Sequence, residues 1–119
     1  MRKRYSSSVK IFQSEFSREE LIERIRRRTD ELAKHLPITR VILFGSYASG
    51  RQTATSDVDL LIVYSRPKRN DDYSVCWDTL SIPQLELFVY TEQEYETLKA
   101  LGSTLPKEVE KKGIVVWTR

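Results

Sequence analysis

The sequence predicts an α/β (α+β) domain, a single mixed β-sheet with helices packed on it. Three observations lead there. Two capping-box signatures, Ser17-Arg18-Glu19-Glu20 and Thr91-Glu92-Gln93-Glu94, each open a stretch with helical features. Runs rich in β-branched and aromatic residues, Arg40 to Phe44 and Gln84 to Tyr90, alternate with those stretches. The 119 residues leave room for one core and little more. The expected organisation is an N-terminal arm, 1–16, followed by one domain, 17–119. Val9, Ile11 and Phe12 give the arm a weak edge-strand pattern.

Each element has its own reason. Ser17 caps the first helix while Glu20 reaches back, and Phe16 with Leu21 can form a hydrophobic staple. Leu21, Ile22, Ile25, Leu32, Ala33 and Leu36 recur at helical spacing, and Pro37 is the expected stop. Arg40 to Phe44 is a buried strand. Gly45 to Ser56 reads as a turn, a short helical piece and a loop, and Asp57 to Tyr64 as the next strand. After the polar turn Arg66-Pro67-Lys68-Arg69-Asn70, residues Asp71 to Leu80 form a helix with Tyr73, Trp77 and Leu80 expected on one side. Pro83 precedes the strand Gln84 to Tyr90. The helix from Thr91 runs to about Leu101, with Tyr90 and Tyr95 as its staple and Gly102 at its end. Pro106 opens a short helix to Lys112, and Gly113 releases the chain into a last strand, Ile114 to Trp117.

Composition narrows the function. Hydrophobic residues make up 39% and charged residues 31%, a soluble globular mix. No apolar run approaches the roughly 18–20 residues that span a bilayer. The start, Met1-Arg2-Lys3-Arg4-Tyr5, leads into serines and not into an apolar signal core, which points to the cytoplasm. Cys76 is the only cysteine, so an internal disulfide and a cysteine zinc site are excluded, and its place beside Trp77 reads as core packing. His35, the only histidine, falls near a helix end where a cation suits the dipole. The net charge of +3 is compatible with a nucleotide or nucleic-acid partner without requiring one. Basic clusters such as Arg26-Arg27-Arg28 read first as solvated surface.

The chemistry concentrates in LFGSYASGRQTATSDVDLLIVY, residues 43–64. Residues two apart on a strand share a face, so Asp57 and Asp59 project together while Val58, Leu60 and Ile62 turn to the core. Two such carboxylates repel and titrate as a pair. A divalent cation relieves that, and aspartate oxygens with open positions suit Mg²⁺ bound together with substrate phosphates. Gly45 lets backbone approach a ligand, and the N–H groups after it, with the Ser46 hydroxyl, make an anion site. Gly50 permits the second bend. Glu86, on the strand Gln84 to Tyr90, completes a three-carboxylate cluster if that strand lies beside Asp59. A charge in so buried a strand needs a partner or a metal. The alternative is an edge-strand glutamate facing solvent, because Gln84-Leu85-Glu86-Leu87 alternates.

Gly45-Ser46, ten residues, then Asp57-Val58-Asp59 resembles the G-S-x10-D-x-D signature of the polymerase-β-like nucleotidyltransferase superfamily. Phe44, Gly50, Ser56 and Leu60 fit it as well. The short length resembles the minimal nucleotidyltransferase type, and LPKEVEKKGIVVW resembles the usual end of its members. The resemblance implies a minimal nucleotidyltransferase fold and transfer of a nucleoside monophosphate, AMP from ATP, to a hydroxyl acceptor. It makes Asp57, Asp59 and Glu86 the catalytic and metal-holding residues for two Mg²⁺ ions, with Mn²⁺ as an alternative. It makes Gly45, Ser46, Arg51 and Ser56 nucleotide-binding. The family more often has aspartate at the position of Glu86, and many members carry a basic residue where Ser49 stands. Members of this type are often paired with a HEPN-type toxin whose tyrosine some of them modify.

Two function classes follow. One is an active Mg²⁺-dependent transferase acting on a HEPN-type partner or a small hydroxyl compound. The other is a binding module, an antitoxin acting by contact. RNA binding through Arg26-Arg27-Arg28 and the arm is a weaker third, and no aromatic-basic RNA motif supports it. The apolar remainder of helix 17–36 packs on the sheet or supplies a homo-oligomer face. An exposed sheet face and the basic loop 66–69 are candidate contact surfaces.

Overall fold

The computed structural model describes residues 17–52 and 56–119. The expected edge strand around Val9 to Phe12 and the staple residue Phe16 lie outside the described residues. In chain order the elements are α1 (Arg18–Leu32), β1 (Ile38–Phe44), α2 (Ser46–Ser49), β2 (Val58–Tyr64), α3 (Asp72–Leu80), β3 (Leu85–Thr91), α4 (Glu92–Ala100), α5 (Thr104–Lys112) and β4 (Ile114–Thr118). The four described strands form one sheet in the order β3-β2-β1-β4. β1 runs antiparallel to β2 and to β4, while β2 and β3 are parallel and joined through α3. The sheet is therefore mixed, as the sequence predicts.

Alternation along the strands explains how it is covered. Val41, Leu43, Val58, Leu60, Ile62, Leu85 and Leu87 turn to one side, where they pack with Leu21, Ile25 and Leu32 of α1 and Cys76 and Leu80 of α3. Ile42, Phe44, Leu61 and Val63 turn to the other, against Tyr95 of α4 and Val109 of α5. β2 is apolar on both faces because both are buried, the pattern of a strand sandwiched between helices. Helices lie on both faces of the described sheet, although Glu86 of β3 and Val115 of β4 stay exposed.

Both capping boxes form. Ser17 Oγ accepts from Glu20 N (3.1 Å) and Glu20 Oε1 accepts from Ser17 N (3.0 Å). The Thr91–Glu94 pair repeats the arrangement at 3.1 and 2.9 Å. α1 ends at Leu32, earlier than the stop at Pro37 suggests, because residues 33–36 wind into turns. The N–H of Lys34 bonds Glu31 O and that of His35 bonds Leu32 O, each three residues back, which tightens the turn and drops Leu36 into the core. α5 starts at Thr104, placing Pro106 inside the first turn, where a missing N–H costs nothing.

α3 corrects one expectation. Its buried residues are Asp72, Cys76 and Leu80, and Tyr73 and Trp77 do not join Leu80 on that side. Each lies one residue past a buried one, about 100° further round the helix, and faces solvent. At the end of β2, the buried Tyr64 hydroxyl donates to Asp72 Oδ2 (2.7 Å) and accepts from Arg69 N (3.0 Å). Lys68 bridges Asp72 (2.9 Å) and Glu94 (3.3 Å), and Arg69 pairs with Asp71 (2.8 Å). Two cations of the basic loop are thus spent on the fold. The same holds for Arg26, whose Nε donates to Val116 O (2.8 Å), and Arg28, whose Nη1 donates to Leu80 O (2.9 Å). Two of the three arginines of that cluster are structural, which weakens the RNA reading. His35 is an exposed residue 3.8 Å from Glu31, and Trp117 Nε1 donates to Asp30 (2.9 Å).

Candidate active site

The site lies where β1 ends and β2 begins. Asp59 stands opposite Phe44 of β1 and opposite Glu86 of β3 in register. Parallel pairing of β2 with β3 is what unites Asp59 and Glu86, residues far apart in sequence. Gly45 follows Phe44 directly, so the turn and the carboxylates share one end of the sheet.

Gly45 has φ 76° and ψ −149°, a conformation open essentially to glycine alone. A Cβ there would overlap Asp59 Oδ2 and lie 3.0 Å from its Cγ. The hydrogen side of Gly45 is the space that the Asp59 carboxyl fills. Ser46 starts α2, and the first N–H groups of a helix point out of its N-terminal end. Gly50, in the left-handed conformation, closes α2, and Arg51 N donates back to Ser46 O (2.9 Å). Arg18 Nη1 reaches across from α1 to Ala48 O (2.9 Å) and Tyr47 O (3.5 Å). A cation thereby holds the carbonyl end of the short helix.

Asp59 carries the strongest electrostatic signature here. Its carboxyl is pushed up to about 7, first by burial, then by a hydrogen bond with Glu86, and then by the negative charges of Glu86, Asp57 and Glu108. Glu86 is exposed, not buried as a strand of that composition suggests. Among the described residues β3 is an edge strand, and its second residue reaches solvent while Leu85 and Leu87 face the core. Glu86 is thus an exposed residue of β3 and, in register, the neighbour of Asp59. Asp57 is exposed just ahead of β2 and acts on Asp59 through charge. The structure brings Asp59 and Glu86 together, with Asp57 further off. Among the described residues, no three His, Cys, Asp or Glu side chains converge into a metal cage.

The donors nonetheless fit Mg²⁺. All are carboxylate oxygens, the pair is held together against its own repulsion, and Mg²⁺ takes one or two carboxylates plus substrate phosphates in preference to an all-protein cage. Arg51 is exposed beyond Gly50, and Ser56 is half-buried immediately before Asp57. Sequence reasoning missed Glu108, a further acid that α5 brings towards Asp59. No local pattern could reveal it, because α5 and β2 meet only through the tertiary fold.

Comparison with known proteins agrees with this geometry. The family profile for the nucleotidyltransferase domain matches residues 22–116. Two proteins of Methanocaldococcus jannaschii, provisionally named protein adenylyltransferases, are similar. One is 42% identical over 48 residues, 40% of this chain and 49% of that one. The other is 36% identical over 45 residues, 38% of this chain and 52% of that one. The match thus spans about half the length of each. Among solved structures, a provisionally named nucleotidyltransferase of Sulfolobus solfataricus superposes with TM-score 0.58 at 22% identity, over 87% of this chain and 85% of that one. A chain from the complex of a tri-AMPylated Shewanella oneidensis HEPN toxin with its MNT antitoxin superposes with TM-score 0.56 at 14% identity, over 86% and 73%. A toxin–antitoxin structure with AMP-PNP gives TM-score 0.53 at 18% identity, over 78% and 73%. At these identities the structures speak for the fold, while the profile covers the site and most of the sheet. This chain belongs to the nucleotidyltransferase domain family.

Proposed function

We propose that this protein transfers AMP from ATP to a hydroxyl on a polypeptide partner, a tyrosine of a HEPN-type toxin. The observation that carries the reading is the Asp59–Glu86 pair set against the Cβ-less face of Gly45. The names of the curated relatives and the toxin–antitoxin complexes among the fold neighbours support the acceptor and the partner.

In this reading Gly45 and Ser46 hold the β- and γ-phosphates through backbone N–H groups and the serine hydroxyl. Arg51 and Ser56 flank them. Asp57, Asp59 and Glu86 hold two Mg²⁺ ions, which when bound neutralise phosphate charge and make the attacking hydroxyl easier to ionise. The acceptor oxygen forms a bond to the α-phosphorus, the bond from that phosphorus to the bridging oxygen breaks, and pyrophosphate leaves. Glu86, open to solvent, receives the acceptor proton. Asp59, pressed against Glu86 and Gly45, is the positional anchor of the site.

The test is label transfer from [α-³²P]ATP to a co-expressed HEPN-type partner, alongside calorimetric ATP binding with and without Mg²⁺. Wild type should label the partner and bind ATP only with Mg²⁺, and Asp57→Ala/Asp59→Ala should do neither. A second reading, an antitoxin acting by contact, gains support from Asp57, which stands exposed ahead of β2 while Asp59 pairs with Glu86. Neutralisation of the partner by the double variant would favour it.

A further inference from the structure

Outside the carboxylate site, the chain carries a second unusual surface on α3. Tyr73 and Trp77 are 48% and 45% exposed, yet they stack on each other with centroids 6.1 Å apart and planes 13° from parallel. Large aromatic faces in solvent are uncommon unless something covers them. Beside Trp77 opens a cleft of about 390 Å³ walled by Asp78, Ser81, Ile82, Pro83 and Leu85. Asp78 makes no ion pair among the described residues, although nearby Asp71 and Asp72 each have a cation. The wall is built under constraint: Ser81 (φ 48°) and Gln84 (φ 61°) are non-glycine residues in the left-handed region, on either side of Ile82-Pro83. Gln84 O also accepts from Val58 N (2.9 Å), which ties this loop to the strand bearing Asp59. Leu85 lines the cleft, and the next residue, Glu86, stands opposite Asp59.

We infer that this cleft binds an arginine- or lysine-bearing segment of the acceptor polypeptide, next to the hydroxyl that is modified. The inference rests on the proposed transfer to a protein hydroxyl and names the sequence context of that acceptor. A guanidinium stacks on the Trp77–Tyr73 slab and pairs with Asp78, an arrangement suited to a planar cation. The surroundings point the same way: Asp57, Glu86 and Glu108 gather negative charge around Asp59, which favours a basic polypeptide. Among the described residues β3 is the edge of the sheet, so an extended segment can cross it from the cleft to the carboxylates.

The test is an NMR titration with two synthetic peptides, Gly-Arg-Gly-Arg-Tyr-Gly-Arg-Gly and the same peptide with glutamate for each arginine. The Trp77 indole N–H is the reporter, and the hydrogen-bonded Trp117 indole is the internal control. The arginine peptide should shift Trp77 and not Trp117, and bind at least tenfold tighter than the glutamate peptide. Trp77→Ser and Asp78→Asn should each weaken it at least fivefold while Mg²⁺-dependent ATP binding stays unchanged. Equal binding of the two peptides, or binding untouched by both substitutions, would overturn the inference. Tighter binding of a single-stranded RNA oligonucleotide at Trp77 would overturn it in favour of a nucleic-acid ligand. If ATP fails to bind wild type while the arginine peptide still selects Trp77, the transfer reading fails and the basic-peptide cleft stands.

Discussion

Replacing Gly45 with alanine separates backbone strain from side-chain crowding at the site. The backbone at φ 76° and ψ −149° lies where an L-residue is strained, at a cost of about 1–3 kcal/mol. The new methyl would also overlap Asp59 Oδ2, with Asp59 Cγ at 3.0 Å and Cβ at 3.3 Å. The carboxyl must rotate away, breaking its hydrogen bond with Glu86, for roughly 1 kcal/mol more. The total, about 2–4 kcal/mol, leaves a domain with stability on the order of 0.1 kcal/mol per residue folded but weakened. In an Asp59→Ala background the overlapping oxygens are gone and only the Cβ contact remains, so the Gly45→Ala cost should fall to the strain alone. Urea denaturation of the four proteins gives the cycle, and calorimetry gives ATP binding, which Gly45→Ala should abolish. A cost under about 0.5 kcal/mol, or the same cost with and without the Asp59 carboxyl, would refute this account of the glycine.

Other outcomes follow from the same structure. Because the Asp59 carboxyl titrates near 7 when folded and near 3.8 when unfolded, the folded chain holds a proton between those values that the unfolded chain releases. Its stability contribution is full below about pH 3.8 and is lost as pH rises through about 7. Asp59→Asn should flatten that fall and raise the melting temperature of the metal-free protein at pH 7.5, by no more than a few degrees given solvent screening. A lower melting temperature would count against the repulsion. Tyr64→Phe leaves Asp72 and the Arg69 N–H each short of a partner, and should lower stability by about 1–3 kcal/mol in urea melts. Gly113→Ala drives a methyl against Val109 O and Ile42 Cγ2 and should cost about 1–3 kcal/mol in the same assay. Cys76 is buried and its thiol is pushed up to about 12, chiefly by burial, so a thiol reagent at pH 8 should modify it only at the rate of unfolding.

Much of this is legible in local sequence chemistry. Capping boxes are completed within four residues, so both helix starts were readable, and β1, β2 and β3 followed from β-branched runs. The turn at Gly45 and the carboxylates after it lie on one short segment, and their shared end of the sheet follows from antiparallel pairing. Glu86 is harder: its strand's composition argues for burial, but burial depends on strand order, which among the described strands puts β3 at the edge. The faces of α3 were misjudged for a similar reason. Tyr73 and Trp77 carry large apolar surface beside their polar tips, and the packing of α3 on α1 decides that Cys76 and Leu80 are the pair covered. Glu108 had no signal at all.

The grip of Arg18 on the carbonyls of Ala48 and Tyr47 has a kinetic side. Arg18 is the first residue of the first described helix, and helix ends fray more readily than their middles. Each fraying of that turn loosens the hold on the short helix behind Ser46, so the lifetime of the ordered Gly45–Gly50 turn is set partly from the start of α1. Whatever steadies or loosens the start of α1, a bound partner or an upstream fusion, would act on how long the loop stays in shape.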